Sequence, residues 1–143
     1  MGTVKNLLQK KGNIVHSVSP SSCVYDALEV LESKNLGALV VVEDETLIGI
    51  FTERDYARKV VLKGRSSKET CVKDIMTDRP VFVNPQNTID DCMQIMTDKH
   101  IRHLPVLDNN GKLLGVVSIG DLVKFIIEEK NFIIENLEHY IVS

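Results

Sequence analysis

The chain has 143 residues, 43% of them apolar and 26% charged, with a net charge of −3. These are the values of an ordered globular chain long enough to bury a sizeable core, and they exclude disordered and fibrous classes. No apolar run approaches the roughly 18 residues of a membrane span, and an acidic balance argues against general nucleic-acid binding.

The start, Met1 to Asn13, is polar and basic and lacks the apolar core of a secretory signal, so a cytoplasmic chain is expected. A short strand is predicted over Ile14 to Ser17, running into the Ser19-Pro20 turn. Capping residues Ser21 and Ser22 then open an amphipathic helix whose apolar positions Val24, Ala27, Leu28 and Leu31 recur at helical spacing. An apolar strand, Ala38 to Val42, follows. An acidic turn leads to a second strand that ends at Thr52, where a helix begins at once. The basic stretch Arg58-Lys59, Lys63-Gly64-Arg65-Ser66-Ser67-Lys68 reads as a solvated linker, or as a source of cations for a ligand.

The whole pattern then repeats. Leu47-Ile48-Gly49-Ile50-Phe51-Thr52-Glu53-Arg54-Asp55 returns as Leu113-Leu114-Gly115-Val116-Val117-Ser118-Ile119-Gly120-Asp121, an offset of 66 residues between Gly49 and Gly115. Upstream the offset is 65, with Ser19-Pro20 matching Asn84-Pro85 and Val24, Ala27, Leu28 and Leu31 matching Ile89, Cys92, Met93 and Met96. The lead-in repeats too: Val4-Lys5-Asn6-Leu7-Leu8 resembles Val72-Lys73-Asp74-Ile75-Met76. In the second copy a strand is predicted over Val81 to Val83, then a helix capped by Asn87 or Thr88. A strand over Leu104 to Leu107 and the hairpin turn Asp108-Asn109-Asn110-Gly111 follow.

A half of about 60 residues buries too little surface to stand comfortably alone. The expected architecture is therefore mixed α/β (α+β): two β-α-β-β-α repeats, residues 1–68 and 69–143, packed sheet to sheet about a pseudo-two-fold axis. The clefts beside that axis are where function should sit.

Each strand-to-helix junction, Gly49-x-x-Thr52-x-x-Asp55 and Gly115-x-x-Ser118-x-x-Asp121, has two readings. A hydroxyl three residues before an acid at a helix start is a capping box. The same residues also suit a nucleotide: a strand glycine admits a close neighbour, free N–H groups favour phosphate, and a carboxylate can hold a ribose diol. Arg54, a cation opposing its own helix dipole, would be satisfied by phosphate or would turn to solvent. His100 and His103 lack a third partner for a metal. The three cysteines form no C-x-x-C pair, and Cys23 and Cys92 read as small apolar residues. No nucleophile constellation, Walker loop or H-E-x-x-H is present, so an enzyme is not expected.

This duplicated junction, together with Lys73-Asp74-Ile75-Met76-Thr77 and Arg102-His103-Leu104-Pro105-Val106, resembles the CBS-domain pair, the module named after cystathionine β-synthase. The likeness covers nearly the whole chain and is greatest to stand-alone bacterial-type members. It implies a sensor of adenosine-containing ligands (AMP, ADP, ATP, NAD(H) or S-adenosylmethionine) with no catalytic cofactor. It implies one site at Thr52, Arg54 and Asp55 with Arg102 and His103, and a second at Ser118 and Asp121 with Gly37 and Ala38. The adenine is expected against Ala38, Val40 or Leu104. Because Gly120 stands for Arg54, and Gly37-Ala38 for Arg102-His103, the Thr52/Asp55 site is expected to bind charged nucleotide better. The likeness also implies a homodimer, with a regulated protein partner possible. The apolar run Phe125 to Ile141 is then either packed near Val4, Leu7 and Leu8 or a dimer contact. The alternative function is an interaction scaffold with vestigial clefts.

Overall fold

A computed structural model describes residues 2–12 and 14–142, the side chains of residues 140 and 142 excepted. Helix α1 spans Val4–Lys11. The first repeat then runs β1 Ser17–Val18, α2 Val24–Lys34, β2 Ala38–Glu43, β3 Thr46–Thr52 and the one-turn helix α3 Glu53–Tyr56, which loosens into a π turn over Ala57–Val61. After a 3₁₀ turn at Val72–Asp74 come β4 Thr77–Asp78, α4 Ile89–Lys99, β5 His103–Leu107, β6 Leu113–Ser118 and the long helix α5 Ile119–Val142.

The two hairpins form where near-continuous apolar runs flank turn-forming residues. In β2–β3 the turn residues Asp44 and Glu45 both take positive φ, 51° and 64°, as the tight two-residue turn requires. In β5–β6 the carboxylate of Asp108 accepts the amides of Asn110 and Lys112 at 2.8 and 2.9 Å, and Gly111 supplies φ +80°. The first sheet has order β1-β2-β3-β4, with β1 parallel to β2 and the other pairs antiparallel; the second consists of β5 and β6.

Three local expectations are corrected. The first strand is Ser17–Val18, and Ile14 stands 81% exposed outside it. The strand expected over Val81 to Val83 reduces to one parallel bridge, Val83 with Val106. The cap of α2 is Cys23, without a side-chain bond, while the hydroxyls of Ser19 and Ser21 bond each other at 2.9 Å. The second copy caps as expected: Thr88 and Asp91 make a reciprocal box on α4.

The lead-ins are exchanged between the repeats. Val4, Leu7 and Leu8 of α1 lie in one core with Ile89, Cys92, Met96, Leu104, Val106, Val117, Leu122 and Phe125 of the second repeat. Val72 and Ile75, which precede the second repeat, lie in the other core with Val24, Ala27, Leu31, Leu39, Val41, Phe51 and Val60. Backbone bonds repeat the exchange: Val4 N–H donates to Asn87 and Lys5 N–H to Pro85, while Val72 N–H donates to Ser22 and Lys73 N–H to Pro20. Division at residue 68 thus follows the sequence repeat but not the cores. Val40 and Ile50 alternate with Leu39, Val41 and Phe51 along their strands and are also buried, so the first sheet is covered on both faces. Two sheets packed face to face produce that pattern.

Candidate functional site: the paired strand-to-helix junctions

At each junction a strand ends on a hydroxyl residue that lies three residues before an acid, and a helix opens directly after it. Thr52 Oγ1 accepts the Asp55 amide at 3.1 Å, and Asp55 Oδ2 accepts the Thr52 amide at 3.0 Å. Ser118 Oγ accepts the Asp121 amide at 3.1 Å, and Asp121 Oδ2 accepts the Ser118 amide at 2.9 Å. Both junctions are therefore capping boxes, and each Asp commits one oxygen to its own helix.

The second oxygens differ. Asp55 is 7% exposed, and its Oδ1 takes the Lys59 ammonium at 3.1 Å and the Thr77 hydroxyl at 3.4 Å. Lys59 also donates to the Ile75 carbonyl at 3.0 Å. Asp121 has a quarter of its side chain exposed, and Lys11 reaches its Oδ2 at 2.6 Å while donating equally closely to Val116 O. Lys10, Lys11, Lys124 and Glu128 ring a hollow of about 210 Å³ beside Asp121, with Leu7 and Phe125 as its apolar wall.

Arg54 is exposed. Its Nη1 donates to the carbonyl oxygen of His100 at 2.9 Å, at the C-cap of α4 in the other repeat. The residues entering the central strands are held by backbone bonds. Each closes on its own repeat's junction: Glu53 N–H donates to Gly37 O at 3.1 Å, and Ile119 N–H donates to Arg102 O at 2.9 Å. Ala38 pairs with Thr52 and His103 with Ser118. Among the described residues, no hydrogen bond or ion pair joins the Arg102 side chain to Thr52 or Asp55.

His103 is where the repeats meet. A Cβ on Gly37 would lie 3.2 Å from the imidazole and 3.3 Å from Glu53 Oε1, so the bare glycine leaves the ring its place. Burial holds the His103 pKa below the ordinary value; Asp121 pulls it up, and the cations Lys11 and Arg102 push it down. The charges acting on His103 are those of Asp121, Lys11 and Arg102.

The structure also fixes the surroundings of the strand glycines and of the strand residues expected against adenine. The strand glycines do admit a close neighbour, but it is the exchanged lead-in: a Cβ on Gly49 would meet Met76 Sδ at 2.6 Å and Thr77 O at 2.9 Å, and one on Gly115 would meet Leu8 Cδ2 at 2.9 Å. The strand residues expected against adenine are inside the protein, with Val40 and Leu104 fully buried and Ala38 9% exposed. Sequence reasoning missed Lys11, and it named Lys59 and Thr77 without placing them at Asp55. Lys59, four residues past Asp55, carried a legible helical spacing; nothing marks Lys11, 110 residues from Asp121.

The comparisons with known proteins fit this geometry. The CBS domain profile matches twice, over residues 7–62 and 72–128. The chain belongs to the CBS-domain family. As a CBS pair it is 40% identical to the CBS domain-containing protein CBSX3, mitochondrial, of Arabidopsis thaliana, over 97% of this chain and 71% of that one. A protein with CBS domains from Burkholderia ambifaria MC40-6 is 49% identical, with a TM-score of 0.85 over 88% of this chain and 94% of that chain. CBSX2 of Arabidopsis thaliana, solved in complex with AMP, is 29% identical with a TM-score of 0.75, over 91% of this chain and 99% of that chain. CBS pairs are regulatory modules. In this one no helix is long and apolar enough to cross a membrane among the described residues.

Proposed function

We propose that this CBS pair is a non-catalytic sensor in the cytoplasm that binds an adenosine monophosphate-class ligand beside Asp121 and signals its occupancy to a partner. The AMP complex of CBSX2 supports the ligand class. The observation that carries the choice of cleft is the unequal commitment of the two acids. Asp55 is buried with both oxygens engaged, and Arg54 is tied to His100. Asp121 is partly open, with Ser118 beside it and the lysines of the neighbouring hollow at hand. Charge count alone favours the Thr52/Asp55 junction; the bonding weights the two the other way. In this reading Asp121 Oδ1 and Ser118 face the ribose, Lys11 moves from the carboxylate to the phosphate, and His103, Gly37 and Ala38 bound the cleft from the strand side. A ligand at Thr52 and Asp55, with Arg102 nearby, has first to displace Lys59 and Thr77.

Titration calorimetry with AMP tests this. The native chain is expected to bind, and Asp121→Ala and Lys11→Ala are each expected to weaken binding at least tenfold. An AMP titration without heat, or one left unchanged by both substitutions, overturns the reading. Regulation further requires the ligand to favour one of two states.

The signalling part of the proposal calls for a homodimer through the far end of α5. Beyond Ile126, α5 leaves Phe132 65%, Ile133 53%, Ile134 51% and Leu137 57% exposed, a run of apolar side chains that monomers rarely leave open. Sedimentation is expected to show a dimer that Leu137→Glu dissociates; a native monomer overturns it.

A further inference from the structure

Cys23 and Cys71, 48 positions apart, face each other as a single antiparallel bridge. The flanking amides define its kind. Val24 N–H donates to Thr70 O at 2.8 Å, and Val72 N–H donates to Ser22 O at 2.9 Å. Bonds on either side of a pair, with none between its members, mark the non-hydrogen-bonded position of an antiparallel ladder. There the Cα atoms approach to about 4.5 Å, and both side chains leave from one face. Disulfides span Cα separations of roughly 4.4–6.8 Å. Both cysteines are free thiols and only partly buried, so a small reagent can reach them.

The pseudo-symmetric bridge is a control within the molecule. Its members are Thr3 and Thr88. Both threonines are helix caps in reciprocal boxes: Thr3 Oγ1 accepts the Asn6 amide at 3.3 Å, and Thr88 Oγ1 accepts the Asp91 amide at 3.0 Å. Cys23 and Cys71 hold the same two cap positions, and neither makes a side-chain cap bond. A thiol is a poor acceptor, so the first repeat gives up both caps and gains only a matched pair of sulfurs.

We propose that Cys23 and Cys71 form a reversible dithiol site that closes to an intramolecular disulfide by exchange with an oxidised low-molecular-weight thiol. One cysteine, as thiolate, attacks a sulfur of the donor disulfide. The donor S–S bond breaks and one donor thiolate leaves, taking up a proton. The other cysteine then attacks the protein sulfur of the mixed disulfide and expels the second donor thiol. The protein loses two protons and two electrons, and the donor gains them as two thiols. The bond fastens the exchanged lead-in to the start of α2. That lead-in continues into Ile75, whose carbonyl holds Lys59, and into Thr77, whose hydroxyl meets Asp55. The third cysteine, Cys92, is fully buried in the other core, and burial, with Asp91 adding to it, pushes its thiol up to about 11, so it stays out of the exchange.

The test treats the native, folded chain with glutathione disulfide at neutral pH, blocks free thiols by alkylation, and reads intact mass and proteolytic peptides. The expected result is loss of two of the three thiols without a retained adduct, a linked pair of peptides carrying Cys23 and Cys71, and recovery of both thiols with dithiothreitol. Cys71→Ser is expected to trap a glutathione adduct on Cys23. Retained adducts on both native cysteines, a link found only between two chains, or no linked peptide at all overturns the proposal. The decisive reading is on the native protein, so a poorly folding variant does not blunt it.

Discussion

Nη1 of Arg54 donates to the carbonyl oxygen of His100 at 2.9 Å, joining the first turn of α3 in one repeat to the last turn of α4 in the other. The end of a helix leaves carbonyls without intrahelical partners and carries partial negative charge. A cation that is misplaced at the start of its own helix is therefore well placed at the end of another. Both ends are fixed by capping geometry, since His100 is the left-handed C-cap of α4 with φ 56°.

Arg54→Ala is expected to lower stability by about 0.5–1 kcal/mol, the modest value of an exposed charge–dipole contact, and to change AMP affinity less than twofold. Urea unfolding and calorimetry on one variant separate the two effects. A tenfold loss of affinity at unchanged stability would return Arg54 to the phosphate.

The two acids should part company under substitution. Asp55→Ala breaks a cap and leaves Lys59 and Thr77 facing a buried gap, a loss of about 2–3 kcal/mol. Asp121→Ala breaks the same cap, but at a position already open to water, so about 1 kcal/mol is expected. Denaturant midpoints check the order, and equal costs would contradict the unequal burial described above.

Much of this was legible in the sequence. The hairpins are readable because short apolar runs and turn chemistry are local, and the duplicated junction is readable because Gly49, Thr52 and Asp55 recur together. The exchange of lead-ins is not. Val4, Leu7 and Leu8 announce an apolar helix face without saying which core receives it. The contacts that decide it, Thr3 with Thr88 and Cys23 with Cys71, are single bridges that leave no periodicity. The glycines show the same limit: a bare Cα signals that something comes close, and only the fold shows that Met76 and Leu8 do. The junction boxes were readable as caps and equally as ligand groups, because capping and anion binding use the same free N–H groups.

Those glycines give an ordered pair of costs. Gly49→Ala sets a methyl against the Thr77 carbonyl as well as Met76, and backbone held in a β4 pairing cannot step aside. Gly115→Ala meets only the end of the Leu8 side chain, which can turn. About 2–3 kcal/mol is expected for the first and about 1 kcal/mol for the second. Thermal or urea unfolding decides it, and a larger loss at Gly115 would mean that α1 packs more rigidly than β4.

His103 makes the fold sensitive to acid. Its pKa in the folded chain lies below the ordinary value, chiefly because burial disfavours the imidazolium, with Asp121 opposing and Lys11 and Arg102 assisting. The unfolded chain then binds the proton more readily than the folded one, so this contribution is complete above the unfolded value of about 6.5 and is lost as pH falls below it toward the folded pKa. The urea midpoint of the native chain is expected to fall between pH 7.5 and pH 5 more steeply than that of His103→Gln, which cannot take up the proton. Addition of AMP separates the electrostatics further. A phosphate replacing the carboxylate as partner of Lys11 brings negative charge toward the imidazole, so the difference between the two chains should narrow when ligand is bound. Parallel curves for the native chain and His103→Gln, with and without AMP, would place the acid sensitivity elsewhere in the protein and leave His103 as a packing residue against Gly37.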